Sequence, residues 1–155
     1  MFIKKLSCLV LVLCGLAACK GPGTNDHGTD SWLNGKGISG ELAPGVEDTV
    51  WFAYDSSSIS HEAQATLKKQ AHWWVGTEEK PALVVEGHCD DRGTREYNLA
   101  LGERRAHAAK KYLVSQGVAR NKIETISYGK ERPVAMGSEE SAYSKNRRAV
   151  SVKAQ

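Results

Sequence analysis

The chain predicts an α+β fold, a sheet layer packed against a helix layer, on three observations. Short apolar runs with β-branched or aromatic residues alternate with two stretches of helical periodicity, and Gly-rich breakers separate them. The resulting order of elements is β, α, β, α, β, a short α and a final β, which gives a two-layer sandwich. No internal repeat is evident.

In Thr49-Val-Trp-Phe-Ala-Tyr, Val50, Phe52 and Tyr54 alternate with Trp51, Ala53 and Asp55, so the segment predicts a strand with Asp55 at its exit. Ser60 is suited to cap a helix in which Ala63, Leu67, Ala71 and Trp74 share one face, ending near Gly76. Trp74 reads as core, whereas Trp73 lies about 100° round and is expected partly exposed. Ala82-Leu-Val-Val-Glu reads as a buried strand, and Gly87 and Gly93 punctuate the loop after it. In the helix that follows, Gly102, Ala106, Ala109 and Leu113 form a core stripe, and Ala100, Arg104, His107 and Lys111 the wetter face. That helix should stop near Gly117.

Arg105 falls between those faces, on a ridge with Leu101, Ala108 and Tyr112. A half-dry guanidinium there needs a partner or a cleft. Beyond this helix, Lys122 to Tyr128 reads as a strand, Gly129 to Gly137 as a loop, Glu139 to Asn146 as a short helix and Ala149 to Val152 as the last strand.

Lys4 and Lys5 precede thirteen mostly apolar residues, Leu6 to Ala18. That is too few to span a bilayer, which needs about 20. Residues 1–18 are therefore expected to be a signal, either of ordinary secretion or of a lipoprotein; Leu16-Ala-Ala-Cys19 resembles a lipobox, which implies that Cys19 is acylated. Each buried CH₂ contributes about 0.8 kcal/mol, so several chains on Cys19 anchor stably. Residues 19–47 are rich in breakers and are expected to form a lipidated flexible tether, a coil of about 30 Å root-mean-square span, with residues 48–155 as the folded domain. Within the tether, Trp32 and Leu33 are either a partner contact or a stray packed pair.

The formal charge is +3, and loss of Lys4 and Lys5 leaves 19 basic against 18 acidic residues. Such a balance, with no basic stripe interleaved with aromatics, gives no case for nucleic acid. Of four cysteines, Cys8 and Cys14 leave with the signal and Cys19 is spoken for, so Cys89 remains alone without an intrachain disulfide. It is either a small filler beside the site or a reactive thiolate.

Catalysis finds little support. A glycosidase needs two carboxylates about 5 to 9.5 Å apart across a sugar, and adjacent Asp90-Asp91 tend to point different ways. The histidines His61, His72, His88 and His107 lack metal-site spacing, and no Gly-x-Ser-x-Gly elbow is present. No enzyme, metal or cofactor is expected, and a cell-wall hydrolase is the least favoured reading. His88 either titrates near neutral pH or positions its loop.

Five segments carry a resemblance. Phe52-Ala-Tyr-Asp-Ser56, Gly87-His-Cys-Asp-Asp-Arg-Gly-Thr94, Asn98-Leu-Ala-Leu-Gly-Glu-Arg-Arg-Ala106, Ser127-Tyr-Gly-Lys-Glu-Arg-Pro133 and Tyr143-Ser-Lys-Asn-Arg-Arg-Ala149 closely resemble the peptidoglycan-associated lipoprotein (Pal) family of Gram-negative outer membranes. The likeness covers roughly residues 48 to 152. It implies the OmpA-like C-terminal domain, a mixed four-stranded sheet with helices on one face. It also implies an outer-membrane lipoprotein facing the periplasm that binds peptidoglycan, with TolB and other Tol proteins as partners and a part in envelope constriction during cell division. The alternative is a protein–protein adaptor for which wall binding is secondary. Cys89 departs from the threonine or alanine usual in the family, so the sulfur is expected to have no essential role.

Peptidoglycan of Gram-negative bacteria offers meso-diaminopimelate, whose side chain ends in a carboxylate and an ammonium on one carbon. A planar guanidinium suits the first and a carboxylate the second. By resemblance, Arg105 takes the carboxylate and Asp90 the ammonium. Asp55, Arg92, Asn98 and Leu101 match positions around the pocket, and Asn146 and Arg147 its rim. Loss of the Arg105 side chain is expected to abolish wall binding with the fold intact.

Overall fold

The computed structural model describes residues 38–39 and 42–154. The strands β1 (Ile38–Ser39), β2 (Thr49–Trp51), β3 (Leu83–His88), β4 (Ile123–Gly129) and β5 (Arg148–Ala154) form one mixed sheet. Three helices accompany it, α1 (His61–Gly76), α2 (Arg95–Ser115) and α3 (Glu140–Asn146). β3 is central: it runs antiparallel to β5, from Leu83↔Lys153 to Gly87↔Ala149, and parallel to β4. A parallel pair cannot be closed by a tight turn, and α2 is the crossover that closes this one.

Two short strands share the outer edge of β5. β1 pairs Ile38 with Ala154, and β2 pairs Thr49 with Val150 and Trp51 with Arg148. Laid end to end they replace one long strand, so the sheet is four strands wide although it contains five. The expected tether boundary at residue 47 therefore needs correction. Between the two strands Leu42 is fully buried in the core, Val46 packs against that core, and the Gln70 side chain donates to the Glu47 carbonyl at 2.8 Å. Residues 38–39 and 42–47 belong to the fold. Cys19, the signal segment, and Trp32 and Leu33 lie outside the described residues.

β2 is shorter than the alternation predicts. Val50 and Phe52 point into the core, and the Phe52 N–H still donates to the Arg147 carbonyl at 2.8 Å. The chain then turns away with Asp55 at φ +50°, which leaves Tyr54 exposed rather than buried.

The helices follow their sequence signals. Ser60 Oγ accepts the Ala63 N–H at 3.2 Å, and α1 buries Ala63, Leu67, Ala71 and Trp74, with Trp73 half-buried. The Trp74 indole N–H finds the Pro81 carbonyl at 2.8 Å. α2, capped by Thr94, buries the predicted Gly102, Ala106, Ala109 and Leu113. Both helices share one core with Leu83, Val85, Ile123 and Ala149, so they cover the same face of the sheet.

A glycine pair sets the distance between α2 and the sheet. A Cβ on Gly87 would stand 1.9 Å from the Gly102 carbonyl oxygen, and one on Gly102 would stand 2.3 Å from Ser127 Oγ. Helix and strand thus meet backbone to backbone, which only glycine permits. The contact draws Asn98, Leu101 and Arg105, on the turns flanking Gly102, to the exit of β3.

Candidate functional site

A cavity of about 230 Å³ opens where the exits of β2 and β3 meet the first turns of α2. Six expected site residues line it: Asp55, Asp90, Arg92, Asn98, Leu101 and Arg105. Tyr54, Gly93 and Tyr97 complete the lining. Two carboxylates and two guanidinium groups make the formal charge of that wall zero.

Arg105 forms the floor and is 1 % exposed. Its Nε donates to the Ser56 carbonyl at 2.8 Å, Nη1 to that of His88 at 2.9 Å and Nη2 to that of Ala53 at 3.2 Å. Three of five N–H donors are thereby committed and two remain. Burial pulls the Arg105 pKa down, and the neighbouring Cys89 and Asp90 counter it. Arg105 is not paired with Asp90. Because it ties α2 to the turn after β2 and to the end of β3, its truncation should lower stability as well as remove the floor of the site, where the sequence alone predicts an intact fold.

Asp90 belongs to a closed ring of four charges. Its Oδ2 lies 2.6 Å from Arg92 Nη2 and 3.3 Å from Arg147 Nη1; Glu140 completes the circuit at 2.5 Å from Arg147 and 3.7 Å from Arg92. Burial acts to raise the Asp90 pKa, but hydrogen bonds from Arg92 and Arg147 outweigh it and hold the carboxyl below its ordinary range. The Arg92 guanidinium lies between the rings of Tyr54, at 4.0 Å, and Tyr143, at 4.3 Å.

Two expected rim residues do not line the cavity. Asn146 accepts the N–H groups of Val134 and Ala135 and donates to the Ala135 carbonyl at 2.7 Å, holding the loop before α3. Arg147 lies behind Asp90 and donates to the Phe52 carbonyl at 3.1 Å. Asn98 fastens the loop opposite, through Nδ2 to the carbonyls of Arg92 at 2.8 Å and Thr94 at 3.0 Å.

Neighbours of the motif resolve too. Burial pushes the Cys89 thiol pKa up, which fits the filler reading. Burial lowers the His88 pKa, so its ring is neutral at neutral pH; it packs on Tyr128 with ring centroids 5.4 Å apart and positions the loop through its carbonyl to Arg105. Sequence reasoning missed Tyr54, Tyr97, Glu140 and Tyr143. Tyr54 and Tyr97 adjoin Asp55 and Asn98 in sequence, and Tyr97 is one helical turn before Leu101, which was the available signal.

The OmpA family profile matches residues 51–147. The peptidoglycan-associated lipoprotein of Mesorhizobium japonicum is 47% identical over 146 residues, covering 91% of this chain and 86% of its own length. The chain belongs to the peptidoglycan-associated lipoproteins of the OmpA family. Another peptidoglycan-associated lipoprotein, that of Burkholderia pseudomallei, has a crystal structure similar to this one at a TM-score of 0.66 and 38% identity, over 70% of this chain and 91% of that one. The C-terminal domain of Helicobacter pylori MotB, at a TM-score of 0.63 and 24% identity over 68% of this chain and 82% of its own, shares the fold alone. These lipoprotein relatives are named as associated with peptidoglycan, not as enzymes. Among the described residues, no helix is long and apolar enough to cross a membrane, and no three His, Cys, Asp or Glu gather as metal ligands.

Proposed function

We propose that the chain holds peptidoglycan without cleaving it, by seating the diaminopimelate end of a stem peptide in the cavity. One observation carries the reading: acids and guanidinium groups in equal number face a single small cavity, a match for a handle with one charge of each sign. Arg105 offers its two remaining donors to the carboxylate, and Asp90 receives the ammonium, with Asp55 beside it. Arg92, Asn98 and Leu101 shape the wall. Charge-assisted hydrogen bonds contribute about 1.5 to 3 kcal/mol each, so one stem is held modestly and many tethered copies hold firmly.

In this reading acylated Cys19 anchors the chain in the outer membrane, facing the periplasm, and the domain links that membrane to the wall within the Tol-Pal system during envelope constriction. TolB is the expected protein partner. An adaptor role finds its own support in Val134 and Met136, which are 62 % and 86 % exposed on the loop before α3. The test is co-sedimentation of the full chain with purified walls of the diaminopimelate and lysine types. Retention on the first alone, with no soluble fragments released, is expected. Equal retention on both refutes the assignment, and released fragments revive the hydrolase.

A further inference from the structure

The mouth of the cavity holds a contact that the charge pattern does not require. The Tyr97 hydroxyl donates to Asp55 Oδ1, joining the first turn of α2 to the turn after β2 across 42 residues of sequence. Asp55 is one of two non-glycine residues at positive φ among the described residues, at +50°. Side chains other than glycine adopt that region at a cost, and keep it where surrounding contacts fix it. Here those contacts are visible. Arg105 holds the carbonyls of Ala53 and Ser56 on either side of Asp55, and Tyr97 holds the carboxylate itself.

We infer that Tyr97 is a positioning residue that aims Asp55 at the ammonium of the bound diaminopimelate, an inference that rests on the function proposed above. A carboxylate has about four acceptor positions, so one hydroxyl on Oδ1 leaves Oδ2 free for the ligand. The hydrogen bond also raises the Tyr97 pKa, which keeps the phenol protonated as the donor. Tyr97 is 46 % exposed, so exchanging its hydroxyl for hydrogen empties no core space.

The experiment is a double-mutant cycle on the full chain in detergent, titrated calorimetrically with a soluble diaminopimelate muropeptide. Asp55→Asn and Tyr97→Phe should each weaken binding about tenfold, the scale of one hydrogen bond to a charged group. The double variant should bind no more weakly than Asp55→Asn alone. Toward a muropeptide whose terminal ammonium is replaced by hydrogen, Tyr97→Phe should bind as the wild type does. Losses that multiply, or a Tyr97→Phe variant indistinguishable from wild type, overturn the inference and leave the pocket standing. Wild-type affinity in Asp55→Asn overturns the inference by removing the target that Tyr97 is said to aim.

Discussion

Asp90 is held ionised by its guanidinium neighbours against the pull of burial, and this fixes the sign of a pH effect. Its folded pKa lies below the unfolded value of about 3.9, so its contribution is present above that pH and is lost as pH falls through the folded value. Urea midpoints of the wild type should therefore fall as pH drops below about 4, and Asp90→Asn should flatten that slope while lowering the midpoint at pH 7, where it strips Arg92 and Arg147 of a partner. Equal slopes count against the ring. At this scale most of the lining was legible, because the motifs name Asp55, Asp90, Arg92, Asn98, Leu101 and Arg105, whereas the aromatic part, Tyr54 and Tyr97, was not. What Arg105 touches was not: its carbonyl partners lie 17 to 52 residues away and carry no side-chain signature.

Elements were legible where periodicity is long. α1 and α2 bury the predicted stripes behind the predicted Ser60 cap and ahead of Gly117, since three or more turns average over local noise. β1 was hidden, because two residues in a Gly-rich run present no alternation to read. The Gly102 position in the stripe was visible, but not its reason, which is contact with Gly87 and Ser127. Gly102→Ala should cost about 1 to 3 kcal/mol as overpacking, although alanine favours helices. It should also weaken wall binding, since α2 carries four lining residues, Tyr97, Asn98, Leu101 and Arg105, away from β3. Denaturant melts and co-sedimentation check both, and an alanine variant of unchanged stability denies the close approach.

The whole molecule uses residues that the composition of its linker disguises. Leu42 plugs the core from a segment that reads as coil, so Leu42→Ala should cost about 2 to 5 kcal/mol. A chain starting at residue 48 should melt well below one starting at 38, because it loses β1, Leu42 and Val46 together. Equal melting temperatures return the domain boundary to 47/48.

The end-to-end placement of β1 and β2 has a mechanical consequence. Chain arriving from the N-terminal side joins β5 at Lys153 and Ala154, whereas the cavity lies beyond the Arg148 end, about 20 Å away along the strand. In the anchored, wall-bound state proposed above, tension between anchor and ligand would run parallel to the strands and across their perpendicular hydrogen bonds. The bonds are then loaded in shear and share the force, instead of peeling apart one after another.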